Sequence, residues 1–306
     1  MALPTASCAD TLVAAFSAGR GRTAVDVPPD ACDCHVHLYD ARYPAAPGAA
    51  LRPPDASAAD YRQLQRRTGT QRVVFVTPST YGTDNRTLCD ALAAFGARAR
   101  GVAVIDEQVS DAQLSALHAC GVRGIRLNLS HGVVNSVSQI EPLARRIAPL
   151  GWHLQLLAPV DTWPGLAAVL DRLQVPLVFD HFGRLAPSMA GRHPAHALIL
   201  RLLSERRAWV KLSGAYIVSE KGAPRYEDVA ALARSFLEAA PDRVLWGSDW
   251  PHASATARHQ AMPHDAQHRA LLSVWSGSAG VLHRVLVRNP AELYGFEHPA
   301  TIPETP

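Results

Sequence analysis

The chain has 306 residues, of which 48% are hydrophobic and 19% charged, with a formal net charge of +3. That balance belongs to a globular protein able to bury a large core, either as two domains or as a single α/β barrel. With no basic tract, no acidic tail and no apolar run of membrane-spanning length, it argues against nucleic acid and membrane as partners. The five cysteines, at 8, 32, 34, 89 and 120, form no CxxC pair. An odd, scattered set suits reduced thiols in the cytoplasm better than a disulfide framework.

The first thirty residues lack a basic segment followed by a long apolar core, so no signal peptide is expected. Thr11 to Ser17 predicts a short helix, and the glycines and prolines that follow predict an arm or linker over residues 1–30. Strand one then carries His35 and His37 at i and i+2, which puts both side chains on one face. Two imidazoles held together either grip a metal or polarise a carbonyl. With 14 histidines in the chain, the pair alone is close to what chance provides and needs structural context.

The segment from Tyr43 to Pro54 has no periodicity and reads as a loop. Ser57 to Gly69 predicts a helix with Ser57 as its N-cap. From there strands and helices alternate. Strands are expected at 72–78, 100–106, 122–129, 153–158, 175–182, 209–213 and 243–249. The intervening helices are expected at 85–95, 111–120, 140–150, 165–173, 195–206 and 226–239, with further helices from His268 to Tyr294. Eight nearly continuous apolar strands alternating with helices predict a closed parallel (β/α)8 barrel of the TIM type. The rival, an open doubly wound sheet, would usually place a glycine fingerprint after strand one, where this chain has His-Val-His. The barrel should span 31–296 with a short tail at 297–306.

In such a barrel, polar residues at the C-terminal strand ends line the active site. Those ends carry His35 and His37 on strand one, Ser79 after strand two, Arg126 and Asn128 on strand four, His181 on strand six and Asp249 on strand eight. Strands one and eight are neighbours on closure, so Asp249 should sit beside the histidine pair, with His181 facing them. Lys211, on strand seven, should pair with a carboxylate as a structural group. His118, His193, His259, His264, His268 and His283 fall away from strand ends and are expected in solvent.

Taken together, His-Val-His at 35–37, Asp-His-Phe-Gly-Arg at 180–184 and Trp-Gly-Ser-Asp-Trp-Pro-His at 246–252 resemble the amidohydrolase superfamily. More narrowly they resemble its lactonase branch, that of the pyrone-dicarboxylate lactonases and 4-sulfomuconolactone hydrolases. Segments 79–86, 98–103, 121–128 and 151–153 extend the likeness over roughly 31–296. The resemblance implies hydrolysis of a carboxylated or sulfonated lactone, such as an enol-lactone from aromatic or sugar-acid catabolism, without a metal. It implies Asp249 as general base and His35, His37 and His181 as the groups that polarise the carbonyl.

The chain also departs from the pattern. The bridging carboxylated lysine of binuclear relatives is missing, since the only lysines are Lys211 and Lys221. His153 lies at the wrong end of strand five for a ligand, which leaves Gln155 or nothing there. If a Zn²⁺ ion is bound at all, its ligands would come from His35, His37, His181 and Asp249. Arg126 carries over as a substrate arginine, but Ser130-His-Gly, Leu157 and Gly214 to Ile217 stand where the pyrone-dicarboxylate lactonases have further substrate residues. A single acid group held by Arg126, with Ser79, Tyr43, Asn128 and His252 assisting, is the resulting expectation. The alternatives are a sugar-acid lactone isomerase, a Zn²⁺-dependent decarboxylase and a non-catalytic binding barrel. Oligomeric state is not legible.

Overall fold

The structure is a computed structural model that describes residues 12–130 and 135–297. Eight strands form one parallel sheet in sequential order: β1 (Cys32–Val36), β2 (Arg72–Val76), β3 (Ala99–Ala103), β4 (Val122–Asn128), β5 (His153–Leu157), β6 (Leu177–Phe179), β7 (Ala208–Ser213) and β8 (Val244–Gly247). The ring closes just beyond β8. Val36 forms a parallel bridge with Trp250, the Asp249 N–H donates to the His35 carbonyl at 2.9 Å, and the His37 N–H donates to the Trp250 carbonyl at 2.9 Å. The expected (β/α)8 barrel is therefore the observed architecture.

The local signals act as the sequence suggests. Ser57 caps the helix Ala58–Thr68 through a capping box with Asp60, and Gly69 ends it in the left-handed conformation, where a glycine pays no Cβ penalty. Ser110 and Gly121 bound Asp111–Cys120 in the same way. Strand residues are buried almost without exception because helices cover the outer face while side chains fill the interior.

Several boundaries differ from expectation by two or three residues, and three differences bear on the site or the arm. β6 stops at Phe179 and β8 at Gly247, two or three residues short of the predicted ends. In both places the backbone turns into the left-handed region, at His181 (φ 49°) and Asp249 (φ 66°). No helix forms over 12–17, which contains only a turn; Thr11 lies outside the described residues. Too short to sustain a helix by itself, this stretch is pinned by contacts. The Trp250 indole donates to the Ala15 carbonyl at 2.8 Å, and the fully buried Arg67 donates to Gly21 and Ala18 carbonyls and to Ser17 Oγ. The arm over 12–30 is thus packed against the barrel. No described helix is long and apolar enough to cross a membrane. Of the expected tail, only residue 297 falls within the described residues.

Candidate active site

His35, on β1, and His37, one residue past its end, face the barrel's inner side, and a glycine makes the room. A Cβ on Gly247 would lie 2.6 Å from His35 Cβ, so β8 can approach β1 here only without a side chain. Asp249 and His181 reach the same point from left-handed turns after β8 and β6. Positive φ at such residues costs on the order of 1–3 kcal/mol each and collects at functional sites. Asp249 Oδ1 then lies 3.6 Å from His35 Nε2, 3.8 Å from His181 Nε2 and 4.0 Å from His37 Nε2. The sequence-predicted quartet is one cluster.

The other ring nitrogens are committed. His37 Nδ1 donates to the Val76 carbonyl at 2.7 Å, and His181 Nδ1 pairs with Ser213 Oγ at 2.9 Å. A carbonyl only accepts, so the neutral His37 ring keeps its proton on Nδ1 and turns a lone pair toward the cavity. Burial lowers all three imidazoles, His37 to about 4, so they are neutral near pH 7. Burial would raise the Asp249 carboxyl, but the three rings and the Tyr216 hydroxyl outweigh it and hold it below its ordinary value.

Beneath this cluster lies a layer the sequence reading missed. Asp180, fully buried, accepts at Oδ2 from Arg126 Nε at 2.8 Å and from Gln155 Nε2 at 3.0 Å. Burial opposes its charge, yet His35, Arg126 and Lys211 keep it ionised well below the usual range. Lys211 Nζ donates to Gln155 Oε1 at 2.6 Å and lies 3.8 Å from Asp180 Oδ1. The carboxylate expected beside Lys211 is therefore Asp180. Its place directly before His181 was the available signal. Tyr216, whose hydroxyl donates to Asp249 Oδ2 at 2.6 Å, follows β7 in a short helix, Ala215–Val218, that the sequence reading left unassigned.

Above the cluster is a cavity of about 280 Å³ lined by His37, Tyr39, Arg126, His181 and Asp249 among others. Ser79 and Asn128 line it too, joined by an Asn128 Nδ2 to Ser79 Oγ bond of 2.8 Å. Arg184 and Arg258 add two cations to the wall, so more positive charge faces the cavity than the single Arg126 expected. Two expected site residues do not belong to this wall. The Tyr43 hydroxyl donates to Asp90 at 2.7 Å and its ring lies against Arg86, which draws it to the outer surface. His252 is fully buried behind Tyr216 and pairs with Asp265 at 3.1 Å, because the chain reverses again at its own φ of 62°. His268, expected in solvent, is buried too and packs edge-on to Tyr226. His131 lies outside the described residues.

As a metal site, His35, His37 and Asp249 fit, while His181 stays near Asp249 outside that set. His35 and His37 Nε2 are 3.2 Å apart, close to the roughly 3.3 Å that separates two nitrogens bound tetrahedrally to one zinc ion. The Val76 and Ser213 contacts resemble the outer partners that orient metal-binding histidines. A lysine-bridged binuclear site does not fit, since Lys211 is bonded within the buried layer and Lys221 lies in an exposed loop. His153 sits at the start of β5, far from the strand ends, as expected.

Comparison with known proteins gives a consistent result. A family model described as amidohydrolase matches residues 32–296. The chain is 34% identical over 280 residues to 2-pyrone-4,6-dicarboxylate hydrolase of Comamonas testosteroni, covering 88% of this chain and 91% of that protein. It is 33% identical to D-galactarolactone isomerase of Agrobacterium fabrum, covering 87% and 91%. Among solved structures, an Agrobacterium tumefaciens protein in its apo form superposes with a TM-score of 0.82 at 29% identity, covering 89% of this chain and 98% of that one.

Proposed function

Because the chain belongs to the amidohydrolase family, we propose that it is a lactonase that opens a small anionic lactone by adding water to the ring ester. One observation carries this reading: an ionised carboxylate, Asp249, meets His37 and His181 at the floor of a cavity whose wall carries Arg126, with the fully buried His35 directly beneath.

In the proposed reaction Asp249 accepts a proton from water as the oxygen adds to the lactone carbonyl carbon. An N–H group of His181 faces the tetrahedral oxyanion, where preorganised donors matter most, and His35 supports the cluster from beneath. The ring C–O bond then breaks and Asp249 returns the proton to the leaving oxygen. His37, with its proton committed to Val76, fits as an acceptor in this cluster better than as a second donor. Tyr216 orients Asp249 through Oδ2, leaving Oδ1 for the proton. Arg126 keeps its Nε on Asp180 and offers its terminal nitrogens to an acid group of the substrate. Arg184 and Arg258 favour a substrate with further negative charge. An enol-lactone suits such a site because its leaving oxygen is already stabilised.

The reaction is proposed to need no metal. His35, His37 and Asp249 would hold a divalent ion, whose contribution when bound would be Lewis-acid polarisation of the carbonyl. The setting is proposed to be cytoplasmic, since the described cysteines, at 32, 34, 89 and 120, are free thiols. A second reading, isomerisation of a sugar-acid lactone, would use the same residues and is favoured by the similarity to a galactarolactone isomerase.

The test is a screen of carboxylated and sulfonated lactones at neutral pH, with and without chelator. Ring opening unaffected by chelator supports the proposal. Activity that vanishes on chelation and returns with Zn²⁺ refutes its metal-free part. A panel left wholly intact refutes the lactonase reading.

A further inference from the structure

The hydrogen bonds beneath the site form a chain whose direction is fixed at both ends. Lys211 Nζ lies 3.3 Å from His35 Nδ1 in hydrogen-bonding geometry, and a lysine ammonium can only donate. His35 Nε2 lies 3.2 Å from His37 Nε2, and His37 Nδ1 lies 2.7 Å from the Val76 carbonyl, which can only accept. The links are consistent in one arrangement. Lys211 donates to His35 Nδ1, His35 Nε2–H donates to His37 Nε2, and His37 Nδ1–H donates to Val76.

A competing arrangement is available to His35. Its Nδ1 is also 3.3 Å from Asp180 Oδ1, and a proton on Nδ1 could point there. The geometry disfavours it, because Asp180 Oδ1 has no hydrogen-bond partner among the described residues despite that distance. Were it adopted, His35 and His37 would turn two lone pairs toward each other across 3.2 Å. That contact is repulsive unless a cation lies between them, and it is what a metal ion requires.

Lys211 sits where it can decide between the two. It is fully buried, and its position is fixed by Gln155, whose amide donates to Asp180 Oδ2 and so presents its oxygen to Lys211. We propose that Lys211 is a positioning residue that holds His35 in its Nε2–H tautomer, so that the ring donates to His37 and the site's grip on divalent metal is weakened. The proposal rests on the reading of Asp249 and the three histidines as the reacting centre. Its test needs no lactone, so it fails or stands apart from that reading.

Two measurements decide it. In chelator-treated wild-type protein labelled with ¹⁵N-histidine, long-range ¹H–¹⁵N correlations report each ring's tautomer, with His35→Gln identifying the His35 signals. Protonation at Nε2 is expected, and protonation at Nδ1 overturns the proposal. The second measurement is Zn²⁺ affinity by competition against a chromogenic chelator, for wild type and Lys211→Met. Changes to the partners that orient a ligand commonly move affinity about 10–100-fold. Here the expected shift is toward tighter binding in the variant, by about tenfold or more. Equal or weaker Zn²⁺ binding by a folded Lys211→Met overturns the proposal. Should that variant fail to fold, the wild-type tautomer alone decides.

Discussion

Both ends of this barrel hold buried histidines, and they differ in what surrounds the ring nitrogens. At the C-terminal end each of His35, His37 and His181 has one ring nitrogen engaged from behind and the other turned toward Asp249. At the start of β5, His153 has neither ring nitrogen hydrogen-bonded among the described residues. Burial together with Lys211 pushes its pKa down to about 3, so it is a neutral ring in the core. It packs edge-on to Tyr294 and fills space left by Gly124, where a Cβ would lie 2.2 Å from its ring. A buried histidine by itself therefore says little. The carboxylate, the committed second nitrogen and the left-handed backbone mark the reactive end.

The largest effect that separates the two ends is expected from Asp249→Asn. The substitution keeps the shape but removes the base, so kcat should fall by about 10²–10⁴-fold with KM little changed. In wild type the neighbouring rings hold Asp249 below its usual pKa, so the acid limb of the kcat/KM profile should lie below the ordinary aspartate value of about 3.9. A limb near neutrality would assign it to another group.

Arg126→Met comes next. A charge-assisted pair contributes roughly 1.5–3 kcal/mol, so KM should rise by about 10–100-fold, while thermal unfolding reports any cost of leaving Asp180 with fewer partners. Unchanged KM in a folded variant would make Arg126 a partner of Asp180 alone.

At the other end, Gly124→Ala should cost about 1–3 kcal/mol by overpacking against His153 and leave turnover per folded molecule intact. Pairing it with His153→Ala should recover part of that loss, a coupling visible in a double-mutant cycle of melting temperatures. Additive losses would mean the contact is relieved elsewhere.

The smallest effect concerns Asp33, which joins β1 to the segment after β8 by accepting from the Ser248 N–H at 2.8 Å. Burial raises its pKa to about 7. The folded state thus binds this proton more tightly than the unfolded one. The associated stability is complete below the unfolded value of about 3.9 and is lost as pH rises through about 7. Relative to wild type, Asp33→Asn should gain stability between pH 5.5 and 8.5, on the order of 1 kcal/mol. A pH-independent difference would contradict this.

The barrel was legible in the sequence because each strand is a continuous apolar run bounded by caps that act locally, as Ser57 and Gly121 do. His35, His37, His181 and Asp249 were legible because closing the ring brings strand ends together. What the sequence could not show depends on contacts without periodicity. Tyr43 stands in a loop whose course is set by Asp90 and Arg86. His252 is turned inward by a left-handed residue that no apolar pattern announces. The layer of Asp180, Gln155 and Lys211 draws side chains from β5, from β7 and from the residue just past β6, and only the register of those strands makes them neighbours. The predicted helix near Ser17 had no length to stand on, and the arm takes its form from Trp250 and Arg67 instead.

The most direct test of the central claim is a single-turnover reaction in H₂¹⁸O with an anionic lactone that the wild-type protein consumes. Mass spectrometry of the ring-opened acid should show one heavy oxygen in the new carboxylate, and Asp249→Asn should form that product far more slowly. A product isomeric with the substrate and free of ¹⁸O would mean that the acyl group moves between hydroxyls without water. A labelled product formed at the wild-type rate by Asp249→Asn would mean that water is activated elsewhere. Either result would contradict hydrolysis at Asp249.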